Sequence, residues 1–144
     1  MAAATTLYTP EVLGLATSLA AFPLDEALPL RTTARSPSCG SSLTLGLATD
    51  PAGAIAQVGL KSQACAIGQA AAAIFAGGAR GRTAEQIAAA AADLSAWLSG
   101  SGAQPDWPGL ELLAPARAYP ARHGAIKLAW TAARELLPTN GLPR

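Results

Sequence analysis

A chain of 144 residues is the length of one domain and is long enough to bury a core. With 51% apolar residues, 13% charged residues and a net charge of +1, it carries no basic footprint of the kind that binds nucleic acid or a membrane surface. Two cysteines are too few for a disulfide framework, and the apolar run from Val12 to Phe22, broken by Gly14, Thr17 and Ser18 and stopped by Pro23, is too short to span a bilayer. These features predict a soluble, cytoplasmic protein with reduced thiols, whose partner is another protein or a metal.

Residues 1–7 are expected to be disordered, 8–137 to form the domain and 138–144 to be a flexible tail. Thr9-Pro10-Glu11 opens the first helix, with Thr9 as cap, Pro10 at the first helical position and Glu11 complementing the dipole. Val12, Leu15, Ala16 and Leu19 give that helix one apolar face, and it ends by Pro23. Ala27 to Arg35 alternates as a strand, with Pro29 marking a sheet edge. Leu43, Leu45 and Leu47 alternate with Thr44, Gly46 and Ala48, a strand with one buried face.

A second arm follows from Ala54 to Leu60 after the turn residues Asp50, Pro51 and Gly53. A turn centred between Pro51 and Ala52 would set Cys39 and Cys65 almost opposite each other at the open end of the hairpin. An Ala-rich helix is predicted from just after Cys65 to Phe75, stopped by Gly77-Gly78. Gly77 to Gly81 has a phosphate-loop look but lacks the Gly-Lys-Ser/Thr ending, and reads as a linker. Thr83-Ala84-Glu85-Gln86 is a capping box, and Ile87, Ala90, Ala91, Leu94, Trp97 and Leu98 continue at helical spacing. Ser99 to Gly102 ends that helix. Leu110 to Ala114 forms a short helical turn, Pro115 and Pro120 bracket a loop, and a last helix from about Arg122 to Leu137 carries Ile126, Ala129, Trp130, Ala133 and Leu137 on one face until Pro138. The order is that of an α+β fold, a three-stranded antiparallel sheet with helices packed on one face and the other face left to solvent or a partner.

Cys65, at a helix N-terminus, occupies a position that favours the thiolate, the form that binds soft metals and attacks sulfur. Cys39 lies in the polar stretch Arg35-Ser36-Pro37-Ser38, a poor place for core packing, although buried free cysteine is also a common core residue. His123 is the lone histidine, at the start of the last helix, where an exposed first-turn residue is the simpler reading. Were that helix start beside the hairpin mouth, Cys39, Cys65 and His123 would form a zinc site with an open fourth position. Ser41 would add at best a weak oxygen, and Arg122 reads as a solvated charge.

The chain resembles the iron–sulfur cluster assembly scaffold family of the IscU and NifU N-terminal type, and looks most like its SufU branch. The likeness rests on Ser36-Pro37-Ser38-Cys39-Gly40 before a strand, on Gln63-Ala64-Cys65-Ala66-Ile67 leading into a small-residue helix, and on Gly81-Arg82-Thr83 where the family has Gly-Lys-Thr or Gly-Lys-Ser. Pro105 to Ala114 fills the place of the SufU insertion, and Tyr119-Pro120-Ala121-Arg122 through Leu128-Ala129-Trp130 resembles that branch's segment before and within the last helix. The family's aspartate two residues after the first cysteine is replaced by Ser41, its third cysteine by Ala125, and the IscU histidine before it by Gly124.

The resemblance implies a SufE/NifU-like, IscU-like fold and a scaffold or sulfur acceptor served by a cysteine desulfurase. Cys39 and Cys65 would be the sulfur-accepting and resolving thiols, and an iron–sulfur cluster or zinc would be held by Cys39 and Cys65 with His123 as a third ligand. Such a protein is a carrier rather than a self-sufficient enzyme, a monomer or weak dimer. The alternative is a metal-free relative that binds the assembly machinery and regulates it, as the missing ligands at Ser41 and Ala125 would suggest.

Overall fold

The structure, a computed structural model, describes residues 7–37 and 40–139. Expectations for residues 1–6, for Cys39 and for 140–144 lie outside them. Three strands, β1 (Leu30–Arg35), β2 (Ser42–Thr49) and β3 (Ile55–Gln63), form one antiparallel sheet in the order β1-β2-β3. The expected α+β architecture is present. Leu43, Leu45 and Leu47 are buried towards the helices, as their alternation requires.

The hairpin turn is built by Asp50, whose Oδ1 accepts from the Ala52 and Ala54 N–H groups at 2.9 and 3.0 Å, while Gly53 takes φ +90°. A bulge between Ala48 and Thr49 shifts the ladder, which beyond it pairs Ala48 with Gln57 and Ser42 with Gln63. Continued past the Ser42–Gln63 pair, this register sets Cys65 level with Gly40, one residue in sequence from Cys39, a slip the expectation of near-opposite cysteines allows. An extra residue in one strand is not visible in a count made from the turn alone.

Among the described residues, four α-helices follow the expected order: α1 (Pro10–Thr17), α2 (Ala66–Ala79), α3 (Ala84–Leu98) and α4 (Pro120–Leu136). Thr9 caps α1, its Oγ1 accepting from the Val12 N–H at 3.2 Å. Leu7, expected in a disordered start, is buried in the core instead. In α3 the capping box closes in both directions, and the six buried residues are the six of the apolar face.

Helix α2 is apolar on almost every side, which makes it the central helix. It packs on β3, α1 and α4, while α4 covers β1 and β2 and also meets α3. Its expected stop at Gly77-Gly78 does not occur; the helix runs through both to Ala79. The cause is packing. A Cβ on Gly78 would lie 2.5 Å from Trp107 Nε1, and the indole uses that space to donate to the Ile74 carbonyl at 2.9 Å. Trp107 stacks on Phe75, both rings meet Trp130 edge-on, and Arg82 lies 3.9 Å from the Trp107 ring.

Two further expectations are corrected. The helical turn at Leu110 extends as 3-10 helix to Ala118, carrying Pro115 inside it where a loop was expected, and α4 starts directly afterwards with Pro120 at its first position. The outer sheet face is also not left wholly to solvent. Gly46 and Gly59 face each other across β2 and β3, and in the slot they leave lie Leu24 and the buried Leu28, with the Pro23 carbonyl against Gly59.

Candidate functional site

The end of the sheet opposite the β2–β3 turn holds Cys65, with the start of α4 beside it. After Gln63 the chain leaves β3, and Cys65 becomes the N-cap of α2, with extended φ −64° and ψ 169°. Its side chain makes no capping hydrogen bond, so the sulfur is not engaged by the helix it starts. Cys65 is half-buried, packed against the core edge yet reachable. The backbone around it is fixed by the Gln69 N–H to the Cys65 carbonyl at 2.9 Å and by Gln69 Nε2 to the Ala64 carbonyl at 2.9 Å.

Gly68, one turn into α2, sets the distance to α4. A Cβ there would meet the Ala64 Cβ at 2.7 Å and the Ala125 Cβ at 3.1 Å. Residue 125, where the resemblance places the lost third cysteine, is therefore adjacent to the residue before Cys65, and the α4 start does pack beside the hairpin mouth. Ala125 is buried at 3% exposure. Sequence reasoning passed over Gly68; a glycine one turn after Cys65 inside an alanine-rich helix was the available signal of a close helix approach.

The β1–β2 connection closes the same end. The Ser36 N–H donates to the Ser41 carbonyl at 2.8 Å and the Gly40 N–H to the Ser36 carbonyl at 2.9 Å, with Gly40 at φ +73°. Ser36 and Ser41 are both buried. Cys39 belongs to this connection in sequence and lies outside the described residues.

His123 falls in the first turn of α4, half-buried rather than exposed. Its Nε2 lies 3.0 Å from the Arg117 carbonyl. A carbonyl only accepts, so Nε2–H is the donor in that bond. This is the arrangement in which a backbone carbonyl orients a metal-ligating histidine. Among the described residues, however, no three His, Cys, Asp or Glu side chains come together as a metal site. None of the helices among those residues is long and apolar enough to cross a membrane.

Comparison with solved structures gives a direct parallel. The NifU-like N-terminal protein from Brucella abortus, described as nitrogen-fixing, superposes with a TM-score of 0.81 at 26% identity, over 93% of this chain and 94% of that one. The fold of this chain is that of the IscU/NifU/SufU scaffold type. The same fold is found in a putative iron–sulfur cluster assembly scaffold protein for the SUF system of Fervidobacterium islandicum AW-1, with a TM-score of 0.75 at 18% identity, covering 90% of this chain and 96% of that one. No sequence model of a protein family matches the chain, and no curated protein matches it. The expected α+β arrangement, helices with a three-stranded antiparallel sheet, is that of these structures.

Proposed function

We propose that this protein is an iron–sulfur cluster assembly scaffold or sulfur acceptor that takes persulfide sulfur from a cysteine desulfurase. The observation that carries the reading is Cys65 at the N-cap of the central helix, half-buried and without a capping bond, beside the start of α4. The fold shared with the NifU-like and SUF-system proteins supplies the reaction class.

In the proposed transfer, the thiolate of Cys65 attacks the outer sulfur of the donor's persulfide. A new sulfur–sulfur bond forms on Cys65, the donor's bond breaks, and the donor cysteine leaves as thiolate. An external dithiol, oxidised to its disulfide, would reduce that sulfur and release it as hydrosulfide, which joins iron in a nascent cluster, the cargo. Alternatively, the thiolate of Cys39 attacks the inner sulfur, forming a disulfide and releasing hydrosulfide. Cys39 and Cys65 would be the first two ligands of the cargo or of zinc, and Nδ1 of His123 a third.

A second reading has an observation of its own. Ala125 and Ser41, at the two replaced ligand positions, are both buried, and Ala125 packs against Gly68. A metal-free relative that binds the assembly machinery and regulates it would need nothing more at those positions.

One experiment separates the two. The protein is purified anaerobically, assayed for iron, zinc and acid-labile sulfide, then incubated with a cysteine desulfurase and free cysteine and examined by mass spectrometry. Gain of one sulfur atom, lost in Cys65→Ser, supports the acceptor; metal lost in Cys39→Ser, Cys65→Ser and His123→Ala supports the three-ligand site. A protein that binds the desulfurase but takes up neither sulfur nor metal overturns the first reading in favour of the second.

A further inference from the structure

Between α3 and α4 lies a groove of about 230 Å³. Its floor is Ala91, Leu94 and Trp130; Ser95, Lys127, Thr131 and Arg134 add its polar groups. Lys127, Thr131 and Arg134 follow one another at helical spacing along one side of α4. Among the described residues, no carboxylate lines it. Glu135, the acid next to Arg134, takes the Thr32 hydroxyl on β1, and Asp93 of α3 lines a different groove, with Arg82.

Neither Lys127 nor Arg134 has an ion pair or hydrogen bond among the described residues. Trp130 is 1% exposed, and its indole N–H is buried without a hydrogen-bond partner. An unpaired buried donor is costly, and native proteins tolerate few. The charged and polar groups that Lys127, Arg134, Ser95 and Thr131 bring to the groove are two cations and two hydroxyls that can donate. A site of that composition on an apolar floor is complementary to an anionic oxygen group.

We propose that this groove binds a small oxyanion, a phosphate or a carboxylate, clamped between Lys127 and Arg134 over the Trp130 ring. The volume is below the range usual for drug-sized ligands, which restricts the occupant to a few heavy atoms. The cations supply charge-assisted hydrogen bonds, and the hydroxyls of Ser95 and Thr131 fix orientation. None of these residues takes part in the thiol chemistry, so the site stands or falls independently of the sulfur-acceptor reading.

The test is titration of the full-length protein with inorganic phosphate and, separately, with succinate, followed by the indole N–H resonance of Trp130, which Trp130→Phe identifies by its loss. Sodium chloride at matched ionic strength is the control. A saturable shift with either oxyanion, weakened about tenfold or more in Lys127→Gln/Arg134→Gln, is the expected result; which probe saturates tells phosphate from carboxylate. No saturable shift with either probe, an equal shift with chloride, or an unchanged curve in the double variant would overturn the proposal. Lys127 is half-buried and Arg134 exposed, so the double variant keeps its fold.

Discussion

Two adjacent glycines in α2 should respond to the same substitution in opposite directions. Gly77 is exposed, and a Cβ there would meet nothing within 4 Å. Gly77→Ala should stabilise the protein by about 0.5–1 kcal/mol through the lower entropy of the unfolded chain. A Cβ on Gly78 would lie 2.5, 2.9 and 3.0 Å from three atoms of the Trp107 indole. That ring cannot easily give way: it is 2% exposed, stacked on Phe75 with centroids 5.5 Å apart, and pinned by its bond to the Ile74 carbonyl.

Overpacking costs about 1–3 kcal/mol. Losing the buried indole bond, if the ring moves, costs about 1–3 kcal/mol more. Against these stands the same helix gain, so Gly78→Ala should destabilise by about 2–4 kcal/mol. At this chain length about 3 °C of Tm accompanies each kcal/mol. Thermal unfolding by circular dichroism should therefore place Gly78→Ala about 6–12 °C below the parent and Gly77→Ala about 2–3 °C above it. A Gly78→Ala protein as stable as the parent would show that Trp107 does not occupy the surface of α2 at Gly78.

Other substitutions probe other joints of the fold. Gly59→Ala would put a Cβ 2.3 Å from the Pro23 carbonyl, and the crossing loop would have to leave the sheet. Because the Leu60 N–H donates to the Phe22 carbonyl at 3.0 Å, hydrogen exchange at Leu60 should accelerate, with a loss of stability of about 2 kcal/mol or more. Thr83→Ala removes the side-chain acceptor at the start of α3 and should cost about 1 kcal/mol in urea unfolding, with an unchanged m-value. His123→Ala should cost about 1 kcal/mol through its bond to the Arg117 carbonyl, whereas His123→Gln, which can still donate, should recover part of it.

What the sequence made legible follows how local each cause is. The α3 cap is satisfied within four residues, and the apolar spacing from Ile87 to Leu98 is sufficient to name its buried face. Cys65 could be placed at a helix start because the strand pattern ends and the alanine run begins on either side of it. Gly77-Gly78 was misread because the same two letters that end a helix also admit a ring, and the ring comes from Trp107 in a distant loop. Pro115 suggested a loop because a proline forbids the α-helical bond, yet the 3-10 stretch accommodates it. The bulge at Ala48 and Thr49 left no mark that a turn-centred count could use.

The cysteine end combines both kinds of information. Its first part, a thiol capping α2, is written in consecutive residues. Its second part, the approach of α4, depends on three small residues, Ala64, Gly68 and Ala125, whose smallness acquires meaning only when the two helices meet. The same closeness constrains the chemistry at residue 125. With methyl-sized groups already in contact there, a larger side chain must be turned out towards the mouth, where a ligand would be useful, or else push α2 and α4 apart. Alanine does neither. The packing of these helix starts is therefore complete without a ligand at residue 125.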